Sequence, residues 1–439
     1  MRAATPPSSE GAAMVVTLIF LGVLIGGMAI GMPIAQSLIL TGVALMWHLD
    51  FFDSQLLAQN LQAGFDNFPL LAVPFFILAG ELMNAGGLSR RIIDLARAFV
   101  GHIRGGLGFV AIGAAVLLAS MSGSAIADTA ALATILLPMM RQQNYPSSYS
   151  AGLLASGGII APIIPPSMPF VIYGVTTNTS ISKLFLAGVF PGLMMGTFLI
   201  LAWWWIARRH RLPAMERVAW GARMRALLHS FWAMMMPVII LGGLKGGIFT
   251  PTEAAVVAAV YALIVSMFVY REMTWGRLYE VFLAAGKTTA VVMFLCGAAT
   301  VTAYMITLAD LPNLLADSFA GVMGNPMLFM ALMMVFLLVV GTAMDLTPTI
   351  LIFGPVCVPL AVKAGIDPVY FGFMFIYVGC VGLITPPVGT VQNVVAGVGR
   401  LRMETVIRGT TPFLLVYVLL LILFVIFPQM ITAPLGWLH

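Results

Sequence analysis

Long apolar runs alternate with short polar connectors from one end of the chain to the other. MVVTLIFLGVLIGGMAI (14–30) and PFLLVYVLLLILFVIF (412–427) carry no charge and no alternation of period two. Only helices and closed barrels satisfy their backbones within lipid. Barrel strands alternate every second residue over about ten residues, so these runs predict helices. A spanning helix takes about 20 apolar residues, and the pattern predicts on the order of a dozen membrane segments. The first residues, MRAATPPSSEGA, are polar and predict an extramembrane tail over 1–12. The run after them is longer than a signal h-region and has no A-x-A site, which predicts a retained first helix.

Special positions then recur at a spacing of 221 residues. Pro138 falls on Pro359, Tyr149 on Tyr370, Gly158 on Gly379, Pro165-Pro166 on Pro386-Pro387, Gly188 on Gly409 and Pro191 on Pro412, with no gap. Proline and glycine are uncommon in helix interiors, so this register marks an internal repeat. The connectors of the two copies carry opposite charge. Segment 87–106 holds Arg90, Arg91, Arg97 and Arg104, whereas its counterpart near 308–327 holds Asp310 and Asp317. Segment 48–68 holds Asp50, Asp53 and Asp66, and its counterpart holds Arg271 and Arg277. Basic connectors stay cytoplasmic, so the copies are predicted to be inverted. This gives repeat 1 over 13–206, a cytoplasmic linker over 207–225, repeat 2 over 226–430 and a periplasmic tail over 431–439, with both termini outside. Inverted-topology repeats are the signature of alternating-access transporters.

Composition narrows the function. Of 439 residues, 61% are hydrophobic and 8% charged, with a mean hydropathy of +1.04. Soluble domains carry about 25% charged residues. A cytoplasmic enzyme, a nucleic-acid binder and a disordered chain are therefore excluded, and the net charge of +5 reflects orientation in the bilayer. Cys296, Cys357 and Cys380 lie apart in apolar runs and read as small buried residues. The five histidines form no metal-ligating cluster. Trp203-Trp204-Trp205 before Arg208-Arg209 read as an interfacial anchor. The amphipathic segment 87–106 reads as an interfacial arm, with Gly86-Gly87 and Gly105-Gly106 at its ends.

Four breaks interrupt the apolar runs: Ser122-Gly123-Ser124, Ile164-Pro165-Pro166-Ser167, Gly341-Thr342-Ala343-Met344-Asp345 and Ile384-Thr385-Pro386-Pro387-Val388-Gly389. Exposed backbone at membrane depth is tolerated only beside a cavity or inside protein. The stretches around Ser124 and Asp345 are too short for two crossings each, which predicts two re-entrant helical hairpins. Each tip is expected to meet the Pro-Pro break of its own repeat. Freed carbonyls with Ser, Thr and Asp oxygens suit Na⁺, and helix N-termini favour an anion such as a carboxylate. The Na⁺ candidates are Ser122, Gly123, Ser124, Asp128, Gly341, Thr342, Asp345 and Thr385. The substrate candidates are Ser122, Ser124, Pro165, Pro166, Ser167, Thr385, Pro386, Pro387, Gly389, Gln392 and Asn393. Intramembrane acids are costly and mark function. Asp345 falls at a break and Asp128 one helical turn after one, while Glu81 and Glu253 lie near helix ends, where a structural role fits.

MSGSAIADTAA (121–131), GGIIAPIIPPSMPF (157–170), LFLAGVFPGLMMG (184–196), MDLTPT (344–349) and GLITPPVGTV (382–391) resemble the large membrane subunit of the tripartite ATP-independent periplasmic (TRAP) transporters. Within that family the chain is most similar to the sugar-acid branch. The resemblance implies Na⁺-driven import of a small organic acid, a sugar acid or dicarboxylate, across the bacterial inner membrane by an elevator movement. It implies a periplasmic binding protein and a small four-helix membrane subunit as partners, no nucleic acid, and no organic cofactor. Where many members carry an apolar or aromatic pair after TPPVG, this chain has Gln392-Asn393, expected to face the cavity and favour a hydroxylated substrate.

The membrane potential opposes import of an anion by about 2.3 kcal/mol per charge per 100 mV, and co-transport of two Na⁺ with a monovalent acid reverses the sign. The chain holds no Walker motif. An intramembrane aspartyl enzyme using Asp128 and Asp345 is the alternative in another class. However, Leu346 rather than Gly follows Asp345, and Asp128 aligns with Thr349. A channel or a purely structural membrane anchor is the remaining rival, and neither gives a reason for paired breaks.

Overall fold

The computed structural model describes residues 9–318 and 320–438. Residues 1–8 of the expected tail lie outside them, and Ser9–Ala12 already belong to the first helix. The Asp317 side chain is likewise outside the described side chains.

Every regular element among the described residues is helical. Copy one contains α1 (Ser9–Ala29), α2 (Ile34–His48), α3 (Ser54–Ala63), α4 (Ala72–Ala85), α5 (Leu88–Val100), α6 (Gly106–Ser122), α7 (Ala125–Gln142), α8 (Ser147–Gly158), α9 (Met168–Thr177) and α10 (Ile181–Arg209). Copy two contains α11 (Trp220–Lys245), α12 (Pro251–Ile264), α13 (Trp275–Leu308), α14 (Leu311–Ser318), α15 (Ala320–Met323), α16 (Pro326–Ala343), α17 (Leu346–Lys363), α18 (Pro368–Gly382), α19 (Thr390–Gly399), α20 (Met403–Ile426) and α21 (Gln429–Leu438). Among the described residues, 8 helices are long and apolar enough to cross a membrane, and several shorter apolar helices accompany them. Among the described residues the copies differ in how the third and fourth helices are joined. A 3-10 turn (Phe68–Leu71) separates α3 from α4, whereas α13 is continuous over 34 residues. Pro69, which lacks a backbone donor, stands where the repeat register puts Ala290.

The helix ends establish the inversion. Gly105, just before α6, donates its N–H to Pro213 O, and Tyr145, just after α7, donates its hydroxyl to the same carbonyl at 3.0 Å. Arg141 near the end of α7 bonds Gly399 O at the end of α19. Both ends of the α6–α7 pair therefore lie together, beside the connector rich in arginine, and the chain reverses at Gly123. From that end α20 runs 24 residues, about 36 Å at 1.5 Å per residue. Its far end, Ile426, shares a cavity with Asn325 and Pro326 at the start of α16 and Gly365 and Ile366 after α17. The α16–α17 hairpin therefore enters from the opposite end. The basic segments predicted to share one side do so: Arg91 pairs with Glu272 at 2.7 Å, Ser230 Oγ donates to Arg91 O, and Met215 N donates to Gly101 O.

Packing follows the same pseudo-symmetry. The pairs α2–α13 and α4–α12 correspond, as do α8–α20 and α10–α18, and α7–α19 and α9–α17. One bundle is built from α1–α4 with α11–α13. The second holds both hairpins and both broken helices. Between them lie α5, packed on α6 and α11, and α14, packed on α1 and α17. Tyrosines close the second bundle over buried carbonyls: Tyr417 donates to Ser156 O, Tyr377 to Tyr417 O and Tyr370 to Phe424 O, each at 2.8 Å. Glu253 is structural, since with Thr250 it forms a reciprocal capping box at the start of α12.

Candidate functional site

The first tip is made by three residues. Gly123 ends α6 in the left-handed region, with φ +62°, and Ser124 caps α7 by accepting the Ala127 N–H at 3.3 Å. Ser122 Oγ donates to Asp128 Oδ1 and accepts the Ser124 N–H at 3.2 Å. Asp128 is 2% exposed, and its second oxygen, Oδ2, has no hydrogen-bond partner. The adjacent Thr129 Oγ1 is buried and also unpartnered. Among the described residues no Lys, Arg or His pairs with Asp128. A buried carboxylate oxygen without a partner is expensive, and the acceptor set around it fits a hard cation.

The tip rests on the first break. A Cβ at Gly123 would lie 3.0 Å from Ser167 Cα and 3.1 Å from Met168 N and Pro166 O. Helix α8 stops after Gly158, because Pro162, Pro165 and Pro166 supply no N–H. Ser167 precedes α9, and its Oγ donates to Pro162 O at 2.6 Å. Pro165, Pro166 and Ser167 are all buried.

At the second tip, Asp345 sits in the N-cap position of α17 without a side-chain capping bond, and its carbonyl accepts Thr349 Oγ1 at 2.8 Å. Gly341 lies against α18: a Cβ there would stand 3.4 Å from Gly382 Cα and 3.5 Å from Gly379 O. Each hairpin tip therefore reaches the broken helix of its own repeat. No hydrogen bond joins Ser124 to Asp345. Thr385 Oγ1 donates to Val381 O at 2.8 Å, and Gly389, at φ +52°, reverses the chain into α19. Both Pro-Pro bonds, 165–166 and 386–387, are cis.

One expectation is corrected. Gln392 does not face an open cavity: it is 1% exposed, and its Nε2 donates to Ile384 O at 2.7 Å, bracing the break from within. The buried Ile384 carbonyl is the reason, since the loop leaves it without a helical partner. Asn393 is the exposed member of the pair, and its Nδ2 holds Val388 O at 2.9 Å.

The two breaks differ in access. Pro386, Pro387 and Val388 are exposed, whereas 161–167 are buried. Helices α7 and α19 leave Ile126, Thr134, Asn393 and Val398 exposed, while α9 packs on α4 and α17 on α13. A cavity of about 180 Å³ remains on that packed side, lined by Asn67, Thr176 and Thr300 among apolar neighbours. Sequence reasoning missed these three and Thr129. Threonine is ordinary in membrane helices, and only the adjacency of Thr129 to Asp128 was a usable signal.

A family profile described as "Tripartite ATP-independent periplasmic transporter, DctM component" matches residues 21–430. The chain is 55% identical over 426 residues to the 2,3-diketo-L-gulonate TRAP transporter large permease protein YiaN of Escherichia coli, covering 96% of this chain and 99% of that one. It is 39% identical over 399 residues to the sialic acid TRAP transporter large permease protein SiaM of Vibrio cholerae, covering 91% and 93%. It is 39% identical over 382 residues to the C4-dicarboxylate TRAP transporter large permease protein DctM of Pseudomonas aeruginosa, covering 87% and 90%. In fold it is similar to the solved YdaH transporter of Alcanivorax borkumensis, with a TM-score of 0.64 at 15% identity over 96% of this chain and 99% of that one.

Proposed function

Because the chain belongs to the DctM component family of tripartite ATP-independent periplasmic transporters, we propose that it carries a small sugar-acid anion across the bacterial inner membrane, driven by Na⁺. The observation that carries this reading is the buried, half-satisfied Asp128 carboxylate at a hairpin tip that touches a broken helix. Ser122, Gly123, Ser124 and Asp128 would hold Na⁺ at one tip, and Gly341, Thr342, Asp345 and Thr385 at the other. The ion supplies positive charge beside a carboxylate substrate. Pro386, Pro387, Gly389 and Asn393, with the Ser122–Ser124 tip, form the wall offered to that substrate. Gln392 acts through the loop it braces.

The closeness to a relative named for 2,3-diketo-L-gulonate, at 55% identity over nearly all of both chains, favours a hydroxylated sugar acid over a plain dicarboxylate. A binding protein on the periplasmic side delivers the acid, and a small membrane subunit completes the three components. The arginine-rich end faces the cytoplasm, with both termini periplasmic, so the exposed α7–α19 side opens inward here. The hairpin bundle moves against the α1–α4 and α11–α13 bundle as an elevator, with α5 and α14 as its arms.

Proteoliposomes holding this chain, its small subunit and its binding protein test the reading. Uptake of labelled diketogulonate, sialate and succinate is measured under inward Na⁺ or K⁺ gradients. Na⁺-dependent uptake of the sugar acid is expected, and equal uptake in K⁺ removes the coupling.

A further inference from the structure

Away from both hairpin tips, on and beside the α5 arm, lies a cluster of charged side chains that the ion and substrate sites do not use. Arg90, Arg91 and Asp94 on α5, His229 and Ser230 on α11, and Glu272 after the π-helical end of α12 enclose a cavity of about 370 Å³. Its walls are fixed from three distant parts of the chain. Arg91 pairs with Glu272 at 2.7 Å, bonds Gly87 O at 3.0 Å and lies 3.7 Å over the Tyr270 ring. Ser230 Oγ holds Arg91 O, and the Tyr270 hydroxyl holds His229 O at 2.8 Å. Arg90 and the His229 ring are exposed, and among the described residues neither makes a hydrogen bond or ion pair.

The pocket lies at headgroup depth. Pro251–Val269 is an apolar span of 19 residues, about 28 Å at 1.5 Å per residue, against about 30 Å of hydrocarbon. Glu272 follows that span by one turn. The neighbouring face of α11 exposes Leu228, Phe231 and Trp232, and at the same end Trp204 and Trp205 stack with Arg208 and Arg209. Aromatic residues of this kind mark the interface.

The lining carries both signs. A simple anion would leave Asp94 and Glu272 facing it, and a metal cation would meet two guanidinium groups. Asp94 already pairs with Arg97 at 3.2 Å and Glu272 with Arg91, each through one oxygen, so a phosphate ester that also carries an ammonium fits the rest, with the phosphate on the free Arg90 fork and the ammonium on the second carboxylate oxygens. We infer that this pocket binds the headgroup of an aminophospholipid, phosphatidylethanolamine, with its acyl chains along the exposed apolar face of α11.

Native mass spectrometry of the full chain, offered phosphatidylethanolamine and phosphatidylglycerol in equal amounts, tests this. Preferential retention of phosphatidylethanolamine is expected. Arg90→Ala, an exposed position, weakens retention about tenfold, the loss of one charge-assisted hydrogen bond. Asp94→Asn abolishes the preference, and Arg217→Ala, exposed at the same end but outside the pocket, changes nothing. Equal retention of both lipids by the unaltered chain, or full retention by Arg90→Ala, overturns the assignment. Displacement by soluble O-phosphoethanolamine at equal concentration would assign the pocket to a free metabolite instead. Loss of the lipid on assembly with the small subunit would assign it to that protein.

Discussion

Ser122 donates its hydroxyl to the carboxylate of Asp128 across the tip of the first hairpin, and the other carboxylate oxygen is left without a partner. That half-satisfied acid is a liability to folding unless a cation completes it. An uncompensated buried charge carries a far larger desolvation cost than a neutral amide of the same shape. Asp128→Asn is therefore expected to fold at least as well as the unaltered chain in Na⁺-free buffer. Added NaCl should raise the Tm of the unaltered chain relative to KCl, by linkage worth about 2.7 kcal/mol at a hundredfold excess over Kd. The variant should lose that shift and its Na⁺-dependent uptake. Ser122→Ala should keep both at about 10- to 100-fold weaker Na⁺ affinity. A NaCl shift preserved in Asp128→Asn would remove this residue from the ion site.

Gly123 and Gly382 place tip against break in the two repeats, and they do so by having no side chain. Alanine at 123 would sit at φ +62°, costing about 1–2 kcal/mol in backbone alone. Its Cβ would also press on the Ser167 and Met168 backbone. Alanine at 382 would lie 2.6 Å from Gly341 C, an overlap expected to cost about 1–3 kcal/mol. Both variants should lower Tm and abolish uptake. Gly276→Ala, with no atom within 4 Å of the added carbon and inside α13, should leave both unchanged. Thermal denaturation beside the uptake assay separates the cases.

The Gln392 amide holds the carbonyl of Ile384, which is fully buried. Gln392→Leu leaves that acceptor unpaired, a loss of about 1–3 kcal/mol. The expected result is a lower Tm and slower uptake of every substrate, with the order of preference intact. Asn393→Ala, at an exposed position, should instead narrow the preference for a sugar acid over succinate. Competition assays against one labelled acid read both.

The repeat, its inversion and the four breaks were legible in the sequence because proline and glycine leave fixed marks on backbone geometry, and because arginine placement reports the side of the membrane. What the sequence hid is of a different kind. Pro165 and Pro386 are equivalent by register, yet one is buried and the other exposed, since a single conformation breaks the symmetry that the two copies share. The direction of Gln392 was not legible because a polar residue beside a break has two partners on offer, an open cavity and an orphaned carbonyl. Here the carbonyl, which has no other donor, takes it. The reciprocal Thr250–Glu253 cap and the Arg91–Tyr270–Glu272 cluster join residues that only the fold or the turn brings into reach.

Orientation is open to a direct measurement. Cys296, Cys357 and Cys380 are buried, so engineered thiols report against a quiet background. Arg217→Cys and Arg400→Cys, both exposed, should react with an impermeant maleimide only from the cytoplasmic side, and Lys245→Cys only from the periplasmic side. Reaction of Arg217→Cys and Lys245→Cys from one side would invalidate the proposed topology.

The same reagent tests alternating access. By the 221-residue register, Thr176 corresponds to Gly397 and Thr134 to Pro355. Thr134 is exposed beside α19, whereas Thr176 and Pro355 are half-buried and line the cavity between the two bundles. Inverted repeats exchange such environments when the carrier changes state. In a background with the three native cysteines replaced, Thr134→Cys should label fast and Thr176→Cys slowly at rest. Na⁺ and substrate together, at turnover, should slow the first and speed the second. Two labelling rates that stay fixed under turnover would leave a static pathway, and the elevator proposal would fail with them.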